Sequence, residues 1–339
     1  MKLDYPCAPL AMNQRVPVIG GIDAVRMSVP WALDHVNCWL LDEPAVGTGA
    51  CSLIDTGINT KNTRTVWQQV LQNRAPHKTL ITHYHPDHNG LAGWFAEQGS
   101  PCFGHANEVA VMHHIWASDE ADYVAEFTRW YQRHGLGESH IQPLKLVGHG
   151  YRKTVAPLPD ANHWNLLQAG DTIELGERTF SVLTGHGHAP AMIMLYCESD
   201  KLLIAADQVL PKISPNVSVL PGAPDPNPLA SFIGSLQELQ ALPEDVLVLP
   251  SHGDPFIGLH QRVQTLLDHH QLRLDQLRAV CTKTVQAADV LSTLFQRELD
   301  VQQMSFALGE AVAHLRYLVH LGELTEIDEA TDTVFAPAR

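Results

Sequence analysis

The part of the chain that decides the fold is the stretch THYHPDHNG, residues 82–90. It holds three histidines and one aspartate within six residues, and it follows the apolar pair at 80–81, which is typical of a strand end. Side chains alternate along an extended chain, so His83 and His85 should point to the same side. A turn at the following proline would bring the aspartate and the third histidine into the same space. These four side chains can hold two metal ions a few ångströms apart. Four ligands cannot complete two metal sites, so further ligands must come from elsewhere.

Three later segments also place metal-binding residue types directly after predicted strands. His188 lies in the loop GHAP at 187–190, while Asp207 and His252 each follow an apolar run. Such placement rarely arises by chance, and it predicts one metal centre built from four strand ends. His186 also precedes a glycine, so its contribution stays open, although the Ala-Pro pair after His188 favours His188.

The pattern His-x-His-x-Asp-His, followed in order by these motifs, resembles the metallo-β-lactamase superfamily over about residues 15–258. The resemblance implies an α/β fold of the αββα type, in which two mixed β-sheets form a sandwich with helices outside. It also implies two metal ions bridged by one aspartate. The implied ligands are His83, His85 and His188 for one ion, Asp87, His88 and His252 for the other, and Asp207 for the bridge. Asp55, at an earlier strand end, is expected to hold a ligand imidazole by its second nitrogen.

The implied chemistry is hydrolysis by a metal-bridging hydroxide, because two divalent cations that share Asp207 lower the pKa of water to roughly 7. Asp87 is then both a ligand and the candidate catalytic residue that orients the nucleophile or shuttles its proton. Flavodiiron-type relatives carry a glutamate at the second position of the motif, where this chain has His85. An imidazole there favours Zn²⁺, while Mn²⁺ and Fe²⁺ stay open as alternatives.

Composition narrows the partners of the protein. The 339 residues include 22 Lys and Arg against 37 Asp and Glu, a net charge of -15. An acidic surface is repelled by nucleic-acid backbones and by anionic membranes. No apolar run approaches the roughly 20 residues of a membrane span, and the first residues lack the apolar core of a secretory signal. Six scattered cysteines without a Cys-x-x-Cys pair favour reduced thiols and a cytoplasmic location.

Residues 106–165 are predicted to form a helical insertion rich in aromatic side chains. These are Trp116, Tyr123, Phe127, Trp130, Tyr131, Tyr151 and Trp164. The segment could form a small core of its own, or it could be a lid or pocket wall for an apolar substrate. The second interpretation predicts a small-molecule substrate with an apolar acyl or aryl group.

We expect the chain to form a catalytic domain at 1–258 and a winged-helix-like C-terminal domain at 259–339. Helices are expected at 260–280, 287–299 and 305–321, followed by a hairpin at 323–335, which resembles the winged-helix appendage of some relatives. One group of those relatives cleaves RNA. The tail holds seven Lys and Arg against eleven Asp and Glu, so binding of nucleic acid is not expected. A packing or dimerising role fits better, and a homo-oligomer is possible.

Three functions are therefore weighed. The first is a dinuclear metal-dependent hydrolase acting on an ester-like bond, a thioester or a lactone, in the manner of a glyoxalase II or a thioesterase. The second is an endoribonuclease or phosphodiesterase, which the relatives of the tail favour and its charge opposes. The third is a metal-binding module without catalysis, which the complete set of seven ligands disfavours.

Overall fold

Two mixed β-sheets face one another at the centre of the computed structural model. The structure describes residues 2–222 and 224–338, apart from the side chains of 147–149. Between the sheets, apolar side chains such as Ala24 and Trp39 from one sheet pack against Phe180 and Ile204 from the other. The predicted sandwich with helices outside is confirmed, since each outer face is covered by helices.

The first sheet contains seven strands, which lie side by side in chain order. The pairs from β1 to β4 are antiparallel, and those from β4 to β7 are parallel. The strands are β1 (Arg15–Ile19), β2 (Ile22–Ser28), β3 (His35–Asp42), β4 (Cys51–Ile54), β5 (Lys78–Leu80), β6 (Cys102–Gly104) and β7 (Trp164–Leu166).

The second sheet contains six strands in the order β13-β12-β11-β10-β9-β8. Only β11 and β12 pair in parallel, and the other neighbours are antiparallel. The strands are β8 (Thr172–Leu175), β9 (Arg178–Gly185), β10 (Met192–Cys197), β11 (Leu202–Ala206), β12 (Leu247–Pro250) and β13 (Phe256–Ile257).

The helices cover the outer faces of the sandwich. Buried Val66 and Trp67 of α1 pack on the first sheet, while α7, α8 and α10 share a core with the outer face of the second. The described helices are α1 (Lys61–Val70), α2 (Pro86–Asn89), α3 (Ala92–Ala96), α4 (Ala106–Met112), α5 (Glu120–Arg133), α6 (Glu138–Arg152), α7 (Pro228–Glu238), α8 (Leu259–Val280), α9 (Leu291–Leu294) and α10 (Val301–His320). In the described residues, no helix combines the length and apolar character needed to cross a bilayer.

The predicted insertion is helical, but the structure corrects two details of it. It ends in strand β7, which pairs in parallel with β6, so its last residues belong to the first sheet. Its helices also share their core with the tail, because Phe127, Tyr131 and Leu144 are buried in one cluster with residues of α8 and α10. The Tyr131 hydroxyl lies 2.8 Å from Ser305 Oγ of α10, so the insertion and the tail form one continuous unit.

The tail contains the expected long helices and ends in a hairpin of β14 (Leu324–Asp328) and β15 (Thr333–Pro337). The predicted helix at 287–299 is shorter, because only a 3₁₀ turn at Ala287–Val290 and α9 are helical. The chain leaves the helix at Phe295, and Asp300 then caps α10 by accepting a hydrogen bond from Gln303 N at 2.8 Å. A capping residue takes a non-helical conformation, which prevents one helix from continuing into the next.

Candidate metal centre

Seven side chains from separate strand ends converge at one edge of the sandwich. Within each of two groups, the potential ligand atoms lie within 4.8 Å of one another. The first ligand group is His83, His85, His188 and Asp207, and the second ligand group is Asp87, His88 and His252. The structure thus brings together all seven residues that the sequence predicts as ligands.

Asp207 lies between the two groups, directly after β11. Its Oδ2 is 3.3 Å from His188 Nε2, and its Oδ1 is 3.5 Å from His88 Nε2 and 3.4 Å from His252 Nε2. Each oxygen therefore faces a different ligand group. This arrangement would allow Asp207 to be shared by two cations.

The spacing of the ligand atoms fits divalent ions. Asp87 Oδ2 lies 3.7 Å from His88 Nε2 and 3.6 Å from His252 Nε2. Ligand atoms about 2.1 Å from a tetrahedral ion lie roughly 3.4 Å apart, which is close to these distances. Within the described part of the chain, four buried atoms of the cluster have no hydrogen-bond partner, and they are His88 Nε2, His188 Nε2, Asp207 Oδ1 and His252 Nε2. Buried polar atoms are rarely left unpaired, so this donor set fits a metal site.

Asp55 holds His88 from behind. Its Oδ2 lies 2.7 Å from His88 Nδ1, and its Oδ1 accepts a hydrogen bond from Thr82 N at 2.8 Å. The backbone of Asp55 has a φ of 62°, a strained conformation for a non-glycine residue, which turns the chain at the end of β4. The carboxylate orients the His88 ring so that Nε2 points into the cluster.

His252 is held by a backbone oxygen that sequence reasoning missed. Its Nδ1 donates to the carbonyl oxygen of His35 at 2.5 Å, and Gly253 N donates to His35 Nε2 at 2.8 Å. His35 thus fixes the loop that carries His252 to the start of β3. A carbonyl oxygen is common to every residue, so this contact could not be predicted from the sequence. The one signal was that residue 35 is a histidine.

His188 is held by a segment that α10 braces. His188 Nδ1 donates to the carbonyl oxygen of Asn216 at 2.7 Å, and Asn216 Nδ2 lies 3.3 Å from Glu310 Oε2. Val219 N donates to the carbonyl oxygen of Gly309 at 3.1 Å. The tail therefore supports a predicted metal ligand, a contribution that sequence reasoning missed.

His186 lies outside both ligand groups. Its Nδ1 donates to the carbonyl oxygen of Pro190 at 2.6 Å, and its Nε2 lies 3.2 Å from Thr184 Oγ1. Both ring nitrogens are therefore used in holding the loop around Gly187. This contact resolves the choice between His186 and His188 that the sequence left open.

Burial and neighbouring charges shift the pKa values of several side chains in the cluster. Burial, together with the nearby histidines, holds the pKa of His83 and of His85 well below the usual value. Burial opposes a charge on His88 as well, but the carboxylates of Asp87, Asp207 and Asp55 outweigh it and raise its pKa. Despite burial, the charges of His252 and His88 lower the pKa of Asp207. His83 and His85 therefore offer neutral imidazoles, the form that binds metal.

A cleft of about 1360 Å³ leads to the cluster. Its walls include Trp31, Tyr151 and Phe306, and its acidic groups include Glu310 of α10. Among the described residues that line it, Arg297 is the only lysine or arginine. The cleft therefore has little positive charge with which to bind phosphate groups.

Comparisons with known proteins agree with this geometry. Residues 31–252 match the family model described as the metallo-beta-lactamase superfamily, and residues 274–336 match the model of a metallo-beta-lactamase-like C-terminal domain. A solved beta-lactamase domain protein from Burkholderia ambifaria is 37% identical, with a TM-score of 0.88 over 99% of this chain and 98% of that chain.

Two further relatives are similar along most of their length. A solved metallo-beta-lactamase family protein from Thermus thermophilus is 29% identical, with a TM-score of 0.80 over 94% of this chain and 99% of that chain. The curated sequence of the probable metallo-hydrolase YqjP from Bacillus subtilis (strain 168) is 24% identical, and the match covers 92% of this chain and 96% of the relative.

Proposed function

The chain belongs to the metallo-β-lactamase superfamily and is a metal-dependent hydrolase, and we propose that it cleaves the ester-like bond of a small molecule, a thioester or a lactone. In this proposal the two ligand groups would hold two divalent ions, which Asp207 would share. Zn²⁺ is the ion that we favour. The single observation that carries the substrate class is the character of the cleft, which combines apolar and aromatic walls with little positive charge.

The charge of the cleft supports an uncharged scissile group over a phosphodiester. Outside the ligand groups, Asp300 and Glu310 line the cleft, and among its described lining residues Arg297 is the only lysine or arginine. A phosphodiester chain is recognised chiefly by cations, and removing its charge from water without such partners is unfavourable. A thioester or lactone carbonyl needs no such compensation.

The residues of the chain divide the work of hydrolysis. Divalent ions bound here would lower the pKa of water and polarise the carbonyl oxygen of the substrate. Asp87, whose Oδ2 lies between His88 and His252, is placed to orient the attacking water and accept its proton. The apolar walls around Trp31 and Phe306 exclude bulk water and align the carbonyl.

The proposal is tested with full-length protein loaded with Zn²⁺, Mn²⁺ or Fe²⁺. The substrate panel contains acyl thioesters, lactones, bis-p-nitrophenyl phosphate and single-stranded RNA. We expect turnover of a thioester or a lactone, lost on chelation and lost in His188→Ala. His163→Ala is the control, because it also removes a histidine, at a side chain that is 71% exposed and outside the cluster.

Other outcomes would decide against the proposed substrates. RNA or phosphodiester cleavage that disappears in His188→Ala, without carbonyl hydrolysis, would replace them with a phosphodiesterase function. Tight metal binding without turnover of any substrate in the panel would favour the metal-binding module.

A further inference from the structure

A second cavity, the aromatic chamber, opens beside the metal cluster, with about 610 Å³ of space between its walls, part of it open to solvent. Helices α5 and α6 of the insertion form one side, and α10 of the tail forms the other. The chamber is lined by Tyr84, His85, Ile115, Trp116, Tyr123, Phe127, Tyr131, Leu144, Tyr151, Leu220, Gln302, Ser305 and Phe306.

The described residues that line the chamber include no lysine, arginine, aspartate or glutamate. Some polar groups of the lining have partners within the walls, since Trp116 Nε1 donates to the carbonyl oxygen of Tyr84 at 2.9 Å and the Tyr131 hydroxyl pairs with Ser305 Oγ. Burial raises the pKa of Tyr123 and of Tyr151, which keeps both phenols neutral. A charged group placed here would lose its hydration without gaining a partner.

The chamber adjoins the metal cleft. His85, Tyr151, Gln302 and Phe306 line both cavities, so one of the predicted metal ligands forms part of the shared wall. The Tyr151 ring lies 5.3 Å from the Trp116 ring in the chamber and 5.8 Å from the Trp31 ring in the cleft, measured between centroids. An apolar group attached to a carbonyl at the cluster would therefore lie beside the chamber.

We propose that the aromatic chamber is the binding site for the acyl or aryl group of the substrate, an uncharged apolar group attached to the carbonyl that is hydrolysed. This inference rests on the proposed function for the reaction, but it adds the class of group that determines specificity. Flat aromatic walls such as those of Trp116 and Phe127 favour a ring or a branched chain over a polar group.

The test compares two thioesters of N-acetylcysteamine, the acetyl and the phenylacetyl derivative, on the metal-loaded full-length protein. Burying a phenyl ring contributes roughly 10- to 100-fold in affinity, so we expect kcat/KM to favour the phenylacetyl thioester by about that factor. Ser305→Phe fills the chamber from α10 and should lower this preference about tenfold or more. Leu220→Phe adds bulk from a loop and should act in the same direction, should the first variant not fold.

Leu146→Phe is the matched control, because it adds a ring on α6 at a side chain that is 75% exposed and outside the chamber. It should leave the preference for the phenylacetyl thioester unchanged. Wild-type protein that hydrolyses both thioesters equally, or a preference that survives both filling variants, would overturn the inference.

A binding measurement separates this inference from the proposed reaction. N-phenyl-1-naphthylamine is a neutral aryl fluorophore, and we expect its emission to rise with wild-type protein and with Leu146→Phe, but not with Ser305→Phe. Binding of this probe without hydrolysis of any thioester or lactone would contradict the proposed reaction and leave the chamber supported. Thioester hydrolysis without probe binding would contradict the chamber alone.

Discussion

The two ligand groups are supported by different parts of the molecule. In the second group, His88 and His252 are held by Asp55 and by the backbone of His35, which belong to the first sheet. In the first group, His188 is held by the carbonyl oxygen of Asn216, in a segment that α10 contacts. The support of the second group therefore comes from the sandwich, whereas the support of His188 in the first group also involves the tail.

The chemical character of these partners differs as well. A buried carboxylate faces His88, whereas neutral oxygens of Thr82 and Asn216 face His83 and His188. An anionic partner raises the basicity of a ligand imidazole more than a neutral one does. We therefore expect the second group to bind its ion more tightly, and the following predictions test that difference.

The largest effect is expected for Asp207→Asn, because it removes the one charge that faces both groups. Both ions should be lost together and turnover should fall by roughly a thousandfold, which corresponds to about 4 kcal/mol. Metal content by mass spectrometry and steady-state kinetics measure the two effects. A variant that keeps two ions and normal turnover would show that this aspartate is not the bridge.

Asp55→Asn should weaken the second group more than the first, because Asp55 contacts His88 directly and reaches His83 only through Thr82. Loss of the carboxylate behind a ligand histidine typically lowers metal affinity by about 10- to 100-fold. Competition with a fluorescent chelator should show one site that is weakened more than the other. Asp245→Asn is the control, since it removes a carboxylate from an exposed ion pair with Lys201. Equal weakening of both sites would contradict the separation of the two groups.

Gly309→Ala should weaken the first group by a smaller factor. A methyl group at 309 would lie 2.8 Å from Ser218 Cβ, so α10 must move away from the segment that holds His188. We expect about 1–3 kcal/mol of destabilisation and a several-fold loss at one metal site. Gly234→Ala is the matched control, because a methyl group there meets no described atom within 4 Å. If the two variants have the same stability and the same metal affinity, α10 does not support the metal site through Gly309.

The smallest effect is a pH dependence at Glu310. Burial raises its pKa from 4.5 to about 7, so the folded protein keeps a proton that the unfolded chain releases in this range. Glu310 therefore lowers the free energy of unfolding as pH rises through that range. The free energy of unfolding of Glu310→Gln, relative to that of the wild type, should rise by about 1–2 kcal/mol between pH 5 and pH 8. Urea unfolding of the metal-free proteins measures this difference, and a constant difference would contradict the assignment.

The metal centre was predictable because its ligands follow apolar strands. Strand ends deliver side chains to a common edge, and the period of two places His83 and His85 on one side. The supporting carbonyl oxygens of His35 and Asn216 were not predictable, because a backbone oxygen has no signature in the sequence. The same applies to Glu310, which reaches the cleft only through the packing of the tail.

Helix α6 was predicted only as part of the helical insertion at 106–165, without bounds of its own, for a different reason. Its sequence contains Pro143 and two glycines, all of which disfavour an isolated helix. Buried Ile141 and Leu144 pack in the cluster shared with α10, and this tertiary contact compensates for the weak local preference. Periodicity within the insertion could not reveal a partner that lies more than a hundred residues later.

The shared core of the insertion and the tail has a consequence for the synthesis of the protein. Residues 301–320 leave the ribosome after both sheets of the sandwich, yet they form a wall of both the cleft and the aromatic chamber. A chain that stops before residue 301 therefore lacks a wall of both cavities. We expect hydrolytic activity to require these residues, and exchange of the tail between relatives to require exchange of the insertion with it.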